Sequence, residues 1–204
     1  MNEENYDREE YKVIMQTAPK QNYGREEYLA LEQLTDVKHE FFHGAIFAMA
    51  GGTFNHAKIT INIAIELGNK LRGKNCTLLG SDMRVHTPSG LDTYPDISVF
   101  CGKPELQDNQ RTLLNPSIVI EVLSPSTRNY DRGTKFVLYR AIPCLQDYLL
   151  VDSEDISVEH YRRLNSYEWI LHDYQDITDQ IPLTTLEELL SLRVIYEQIE
   201  FARE

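Results

Sequence analysis

The sequence predicts an α/β (α+β) fold in which helices flank a mixed central sheet. The first observation is the most periodic segment of the chain, residues 54–71, where large apolar residues recur every four positions, as expected of a helix packed on a sheet. The second is the run IVIEVL at residues 118–123, which is typical of a central strand buried on both faces. The third is a series of short β-like runs that lie between helical segments.

The N-terminal part of the chain holds the first predicted elements. Residues 1–22 are polar and without a sustained period, so we expect a loose N-terminal arm ahead of a single domain at residues 23–204. A first helix is predicted at residues 25–34. Two apolar runs around His43-Gly44 predict a hairpin, and Thr53 follows a pair of glycines as the predicted N-cap of the periodic helix.

The rest of the chain alternates apolar runs with turn residues, and Pro143 marks the end of a helix. The elements predicted there are strands at residues 76–79, 83–86, 97–101 and 118–123, a helix at 131–141, a meander of strands at 148–151, 157–163 and 169–172, a loop and turn at 182–192, and a final helix at 194–201.

Composition excludes several classes of protein. No segment approaches the roughly 18 consecutive apolar residues of a membrane span, and the first ten residues lack the apolar stretch of a secretory signal. The three cysteines are widely spaced and form no CxxC pair. This pattern argues against a zinc cluster or a disulfide framework, so we expect reduced thiols and a cytoplasmic protein.

Two carboxylates lie within or at the start of predicted strands, where burial makes a charged side chain costly. Glu121 lies inside the apolar run IVIEVL, and burying an unpaired carboxylate costs several kcal/mol, so it requires a basic partner or a metal ion. Asp96 follows Pro95 at the start of a predicted strand. Two carboxylates at neighbouring strand ends suit Mg²⁺. Asp96 alone could instead cap a turn, and Glu121 alone could form an ion pair in the core.

A basic, hydroxyl-rich segment follows the strand that carries Glu121. It includes Lys135, which shares a helical face with Tyr139 because the two are four residues apart. If that helix packs back on the sheet, the Lys135 ammonium can orient a water or stabilise developing phosphoryl charge. The alternative is a solvated lysine. His56, near a helix start, fits a helix-capping or surface histidine better than a phosphate contact.

These motifs resemble the frame of the PD-(D/E)xK nuclease superfamily, in which Pro-Asp precedes a Glu on the next hydrophobic strand. More narrowly, the chain resembles the Uma-two-type family of restriction-endonuclease-like proteins over about residues 24–200. The blocks that carry this resemblance are EEYLALEQ (26–33), HEFFHGAIFAMAG (39–51), SDMRV (81–85), YPDISV (94–99), IEVLSPST (120–127), DRGTKFVLYR (131–140) and CLQDYLLVD (144–152).

The resemblance implies a restriction-endonuclease-like sheet and a metal-dependent endonuclease that hydrolyses phosphodiester bonds of DNA. Asp96 and Glu121 would bind Mg²⁺, or Mn²⁺ in its place, with the main-chain carbonyl of Val122 as a third ligand. The superfamily lysine is expected two residues after the Glu, where this chain has Leu123. Its role would fall to Lys135. Glu40 matches a further acidic position, and a strand-edge glutamate is the alternative for it.

The resemblance also implies duplex DNA as the substrate and a homodimer, without a membrane. A catalytically silent binding or assembly protein on the same scaffold remains the alternative, because Leu123 stands at the usual lysine position. A glycosidase with paired carboxylates is disfavoured, because the chain has a single tryptophan to line a sugar groove.

The net charge of −12 bears on this substrate. It is unevenly distributed, at −4 over residues 1–10, −9 over residues 152–204 and +1 over residues 11–151, which hold every candidate site residue. The charge therefore argues against tight non-specific coating of DNA. It leaves weak, salt-sensitive and metal-dependent binding open.

Overall fold

The computed structural model describes residues 22–49, 51–125 and 127–201. The arm predicted at residues 1–22 falls outside this part of the chain, except for Asn22. The helices are α1 (Arg25–Leu34), α2 (Phe54–Lys70), α3, which starts as Arg128–Tyr130, passes through a π-helical turn at Asp131–Lys135 and ends as Phe136–Tyr139, and α4 (Leu192–Ile195). A 3₁₀ turn covers Thr184–Leu186.

Most of the strands gather in two six-stranded sheets, and the last two form a separate hairpin. The strands are β1 (His39–Phe42), β2 (Ala45–Ala48), β3 (Cys76–Gly80), β4 (Arg84–His86), β5 (Asp92–Thr93), β6 (Ile97–Cys101), β7 (Leu106–Gln107), β8 (Thr112–Leu113), β9 (Ile118–Leu123), β10 (Asp147–Asp152), β11 (Val158–Arg163), β12 (Trp169–Tyr174), β13 (Gln180–Leu183) and β14 (Glu188–Ser191).

The larger elements form a mixed central sheet in the order β12-β11-β10-β9-β6-β3. β9 pairs in parallel with β10 and antiparallel with β6, and all six of its residues are buried. The predicted α+β fold and its central strand are therefore confirmed. The second sheet has the order β2-β1-β5-β4-β8-β7, and the segment between β5 and β6 is one of several that connect it to the first.

The central sheet is covered on both faces. On one face, the apolar stripe of α2 packs into a cluster with alternate residues of β9, and Ile59, Ile63 and Leu67 are fully buried there. On the other face, Tyr139 of α3 packs with Val119 of β9 and with Tyr148 of β10. Burying each large side chain contributes about 1.5–3 kcal/mol. These two layers fix β9, which carries Glu121, at the centre of the molecule.

Three predicted elements differ from the structure. The helix expected from residue 131 begins at Arg128, because a short α-helical turn at Arg128–Tyr130 precedes the π-helical turn. The segment expected to be a loop at 182–192 is the hairpin β13–β14, where Pro182 lies opposite Leu189. A proline is tolerated in such a two-stranded ribbon, although it argues against a central strand. The final helix is α4, which is shorter than predicted.

The expectation of three reduced thiols is also wrong, because Cys76 and Cys101 form a disulfide. The two residues are 25 positions apart in sequence, but the antiparallel register of β3 and β6 sets them directly opposite each other. Spacing alone does not reveal that pairing. Cys144 is free.

The helices within the described ranges include none that is long and apolar enough to cross a membrane.

Candidate active site

Asp96 and Glu121 meet at the junction of β6 and β9. Asp96 is the residue before β6. Its main-chain amide donates a hydrogen bond to Glu121 Oε2 at 3.4 Å. The main-chain amide of Val122 donates in turn to Asp96 Oδ2 at 2.8 Å. Antiparallel pairing of Ile97 with Ile120 produces this arrangement, because it brings the start of β6 beside the end of β9. The two predicted carboxylates are therefore neighbours.

Lys135 lies beside Glu121 and two further carboxylates. Its Nζ atom is 2.8 Å from Glu40 Oε1, 3.2 Å from Glu121 Oε1 and 3.2 Å from Asp131 Oδ1. The lysine is 6% exposed, so it is a buried side chain and not a solvated one. The structure thus brings Glu40, Glu121 and Lys135 into contact, with Asp96 adjacent to Glu121.

The helix α3 aims these groups at the sheet. Asp131, Lys135 and Tyr139 recur every four residues, and Tyr139 donates to Glu121 Oε1 at 2.9 Å. The π-helical turn lies between Asp131 and Lys135, and such turns often accompany functional sites. The predicted shared face of Lys135 and Tyr139 is correct.

Glu40 reaches the cluster from the other sheet. It lies on β1 and is 7% exposed. Thr93, on β5, donates to Glu40 Oε1 at 2.5 Å, and the Tyr130 hydroxyl is a second partner. Because β5 leads into Tyr94-Pro95-Asp96, the same segment anchors Glu40 and positions Asp96.

The cluster carries more negative than positive charge. Burial raises the pKa of Glu121; the Lys135 ammonium opposes this, and the carboxylates of Asp131, Asp96 and Glu40 raise the pKa further. Burial alone would lower the pKa of Lys135, but the surrounding carboxylates hold it well above its usual range. Lys135 is therefore a permanent ammonium at neutral pH. It does not neutralise all the surrounding carboxylates, so their negative charge can attract a further cation.

His56 belongs to the site although the sequence favoured another role for it. Its Nε2 atom lies 3.3 Å from Asp96 Oδ2, and the ring also bonds to the main chain of Val122. The hydrogen bond to Asp96 raises the pKa of His56 despite burial. Thr53 caps α2 as predicted, by accepting from the His56 amide. A Cβ at position 52 would lie 2.6 Å from His56 Nδ1, so the ring fits there only because residue 52 is glycine. Gly52, just before the Thr53 cap, was therefore the sequence signal that pointed to the position of His56.

Asp96, Glu121 and the Val122 carbonyl are the groups that could hold a metal. Within residues 22–49, 51–125 and 127–201, no group of three or more His, Cys, Asp and Glu side chains has the arrangement of a metal cluster. Mg²⁺ does not require one, because it takes one or two carboxylates and keeps several waters. Paired hard oxygens with surplus negative charge fit such an ion. The Val122 amide, rather than its carbonyl, makes the hydrogen bond to Asp96.

The mixed sheet and the residue types at its strand ends define a protein of the nuclease-like, restriction-endonuclease-like class. The model of the Uma2 family, described as "Putative restriction endonuclease", matches residues 25–194. The chain therefore belongs to the Uma2 family, and the resemblance found in the sequence blocks is confirmed.

The chain is also similar to two relatives and to a solved structure. Two uncharacterized proteins of Synechocystis sp. are similar to the chain: slr1290 is 37% identical over 85% of this chain and 90% of its own length, and sll1609 is 39% identical over 69% and 80%. A crystal structure from Anabaena variabilis, described as "a putative nuclease belonging to DUF820", superposes with a TM-score of 0.66 at 20% identity. It covers 81% of this chain and 93% of that chain, and it supports the fold.

Proposed function

We propose that this protein is a Mg²⁺-dependent endonuclease that hydrolyses phosphodiester bonds of DNA. One observation carries the proposal: the Lys135 ammonium lies 3.2 Å from Glu121, whose other carboxylate oxygen faces Asp96. A carboxylate pair with an adjacent cation at strand ends is the equipment that phosphodiester hydrolysis needs.

Asp96, Glu121 and the Val122 carbonyl would hold the metal, and Mn²⁺ can replace Mg²⁺. When bound, the ion supplies Lewis-acid polarisation of a phosphoryl oxygen and lowers the pKa of water. His56 bonds to Asp96 and to the Val122 main chain, so it positions two of the three proposed ligands. Tyr139 donates to Glu121 and fixes the orientation of that carboxylate.

Lys135 would orient the attacking water and stabilise the negative charge that develops on the phosphoryl group. Its raised pKa keeps it protonated, so it acts as a hydrogen-bond donor and not as a general base. Glu40 and Asp131 hold the ammonium in place from two sides. Glu40 is thus a positioning residue for Lys135.

The direct test is incubation of supercoiled plasmid with the purified chain and Mg²⁺ or Mn²⁺. We expect nicking that chelation abolishes, and a loss of at least about 100-fold in Asp96→Asn and Glu121→Gln. Asp36→Asn, at an exposed position after α1, is the matched control and should cut like the unchanged protein. Cleavage that survives undiminished in both site variants would refute the assignment.

The alternative is a catalytically silent binding or assembly protein. Its supporting observation is that Lys135 already contacts three carboxylates, which leaves fewer of its protons for a substrate. Calorimetry with Mn²⁺ separates the two functions. Micromolar binding that Asp96→Asn and Glu121→Gln both abolish supports the enzyme, whereas no binding dependent on these carboxylates supports the silent scaffold.

We further propose duplex DNA as the substrate and a homodimer as the working form. The expected cytoplasmic location loses the support of reduced thiols, because Cys76 and Cys101 form a disulfide. β12 forms one edge of the central sheet, and Leu171 on it is exposed, so this edge is a candidate dimer interface. The final helix is a poorer candidate, because Leu192 and Ile195 are buried in the core. Cross-linking that yields only monomer at tens of micromolar would exclude the dimer.

A further inference from the structure

A polar cleft lies next to the proposed site. It has a volume of about 530 Å³ and runs between α1 and the turn that joins β7 to β8. Tyr94 lines it and precedes Asp96 by two residues, which an extended chain spans in at most about 7 Å. A duplex held at Asp96 would therefore pass close to this cleft. The residues that line the cleft and matter below are Glu32, Arg84, Tyr94, Asn109, Gln110 and Arg111.

The turn between β7 and β8 has an unusual backbone. Asp108, Asn109 and Gln110 adopt φ values of 51°, 56° and 67°, so three consecutive residues other than glycine are left-handed. Each such residue costs about 1–2 kcal/mol. A conformation of this kind persists only when its surroundings enforce it, and it is found preferentially at functional sites.

Asp108 anchors the base of this turn. Its carboxylate accepts from Arg25 Nη2 at 2.8 Å, from Thr112 Oγ1 at 2.7 Å and from Arg84 Nη2 at 3.3 Å. Arg84 is 3% exposed and also donates to Thr112 Oγ1 at 2.8 Å. Two arginines outside the hairpin, Arg25 and Arg84, therefore fix its stem to the body of the protein.

The tip of the turn is, by contrast, exposed. Asn109, Gln110 and Arg111 face solvent, and their side chains make no hydrogen bond or ion pair with any other residue that the structure describes. A rigid stem that presents three exposed polar side chains is suited to binding a ligand, because little conformational freedom of the backbone is lost.

The chemistry of these side chains matches base edges. Asn and Gln make paired hydrogen bonds with adenine, and Arg makes them with guanine. The acids nearby are already paired, because Glu32 contacts His39 Nδ1 at 2.8 Å and Asp82 contacts Lys38 Nζ at 2.7 Å. The cleft is thus nearly balanced in charge, which suits bases better than phosphates.

We propose that the β7–β8 turn is a base-reading element. Asn109, Gln110 and Arg111 contact base edges of duplex DNA beside the bond that is cut, and they give the protein a sequence preference. This inference rests on the proposed function for its substrate class, and it adds a specificity site outside the cluster of Asp96, Glu121 and Lys135.

The test is selection of a fully degenerate duplex library by the full chain with Ca²⁺ in place of Mg²⁺, so that a hard cation can fill the site and binding is measured while cleavage is suppressed. We expect enrichment of particular bases at about three adjacent positions, one for each side chain. Gln110→Ala and Arg111→Ala should each relax one position, with a loss of about 5- to 150-fold in discrimination. Arg72→Ala removes an exposed arginine at the end of α2 and should keep the preference intact.

The outcomes separate this proposal from the endonuclease proposal. A sequence preference that the alanine variants abolish, without cleavage in Mg²⁺ or Mn²⁺, supports the reading turn and refutes the enzyme. Cleavage at random positions supports the enzyme and refutes the reading turn. Equal enrichment in the unchanged chain and in the triple alanine variant overturns the proposal, as does selection of single-stranded RNA over duplex DNA.

Discussion

Lys135 is the residue whose surroundings are most demanding. One buried ammonium faces the carboxylates of Glu40, Glu121 and Asp131, and each contact is 3.2 Å or shorter. Removing one partner of a buried ion pair leaves an uncompensated charge, which costs more than the pair contributes. Here three carboxylates depend on the same cation.

Lys135→Met is therefore expected to lower the free energy of unfolding by about 3–5 kcal/mol, as found when a buried ion pair loses one member. Urea denaturation of the metal-free protein measures this change. Lys103→Met, at an exposed lysine, should change stability by at most about 0.5 kcal/mol.

A second variant tests the cause of that loss. Glu121→Gln removes one of the carboxylates, so the double variant with Lys135→Met should be more stable than the sum of the two single effects predicts. Strict additivity would show that the destabilisation comes from lost packing and not from the unpaired charges.

Asp92 accounts for part of the expected loss of stability at acid pH. It is fully buried; burial opposes its ionisation, but His86 and Arg25 outweigh this and lower its pKa below 3.8. A depressed carboxyl pKa contributes stability that is complete above the unfolded value of 3.8 and is lost as pH falls through the folded value.

The urea midpoint should consequently fall in the acid window that begins at about pH 4 and extends downward. Asp92→Asn should be less stable at neutral pH, because its cationic partners lose their counter-charge, and its stability should vary less with pH in that window. Asp173→Asn, an exposed control, should retain the full slope. A slope identical in Asp92→Asn and the unchanged protein would contradict the assignment.

Among the secondary-structure elements, the β7–β8 turn allows a direct test of backbone strain. Gln110 has a φ of 67°, which glycine adopts without cost and glutamine does not. Gln110→Gly should therefore stabilise the protein by up to about 1 kcal/mol, whereas Gln107→Gly, in the neighbouring strand β7, should destabilise it. Thermal denaturation of the two variants is the comparison, and a loss of stability in Gln110→Gly would show that the turn is not strained.

Elements with a strong period were predictable from the sequence. The helix α2 and the strands β6 and β9 follow from apolar repetition, and Glu121 stood out because a charge interrupts such a run. The two-residue strands β5, β7 and β8 were not predictable, because pairing partners define them and they carry no period.

The residues of the candidate site also divide into those that the sequence predicted and those that it did not. Asp96, Glu121, Lys135 and Glu40 could be named because motifs mark them. The contact of His56 with Asp96 could not, because it depends on how the first turn of α2 sits against the strand ends. Asp131 and Lys135 are four residues apart, so their ion pair is a spacing visible in the sequence, but the burial of Asp131 is a tertiary effect that the sequence does not show.

At the scale of the whole molecule, the Cys76–Cys101 disulfide ties an edge strand to the core of the central sheet. The bond joins two residues that are 25 positions apart. By restricting the unfolded chain, it contributes about 3 kcal/mol to the free energy of unfolding. A reductant should lower the urea midpoint of the unchanged protein and leave that of Cys76→Ser/Cys101→Ser unaffected. Cys144→Ser, which removes the free thiol, should behave like the unchanged protein. Equal midpoints with and without reductant would show that the bond contributes nothing.

The residues around Lys135 come from two distant parts of the chain. Glu121, Asp131 and Lys135 lie within 15 residues of one another, whereas Glu40 on β1 lies 81 positions before Glu121. The contact with Glu40 forms only after long-range strand pairing has closed the intervening loop. A half-folded chain would hold the Lys135 ammonium without that partner. On the proposed function, cutting therefore depends on the docking of β1, and incompletely folded copies of this protein would threaten the cell's DNA less.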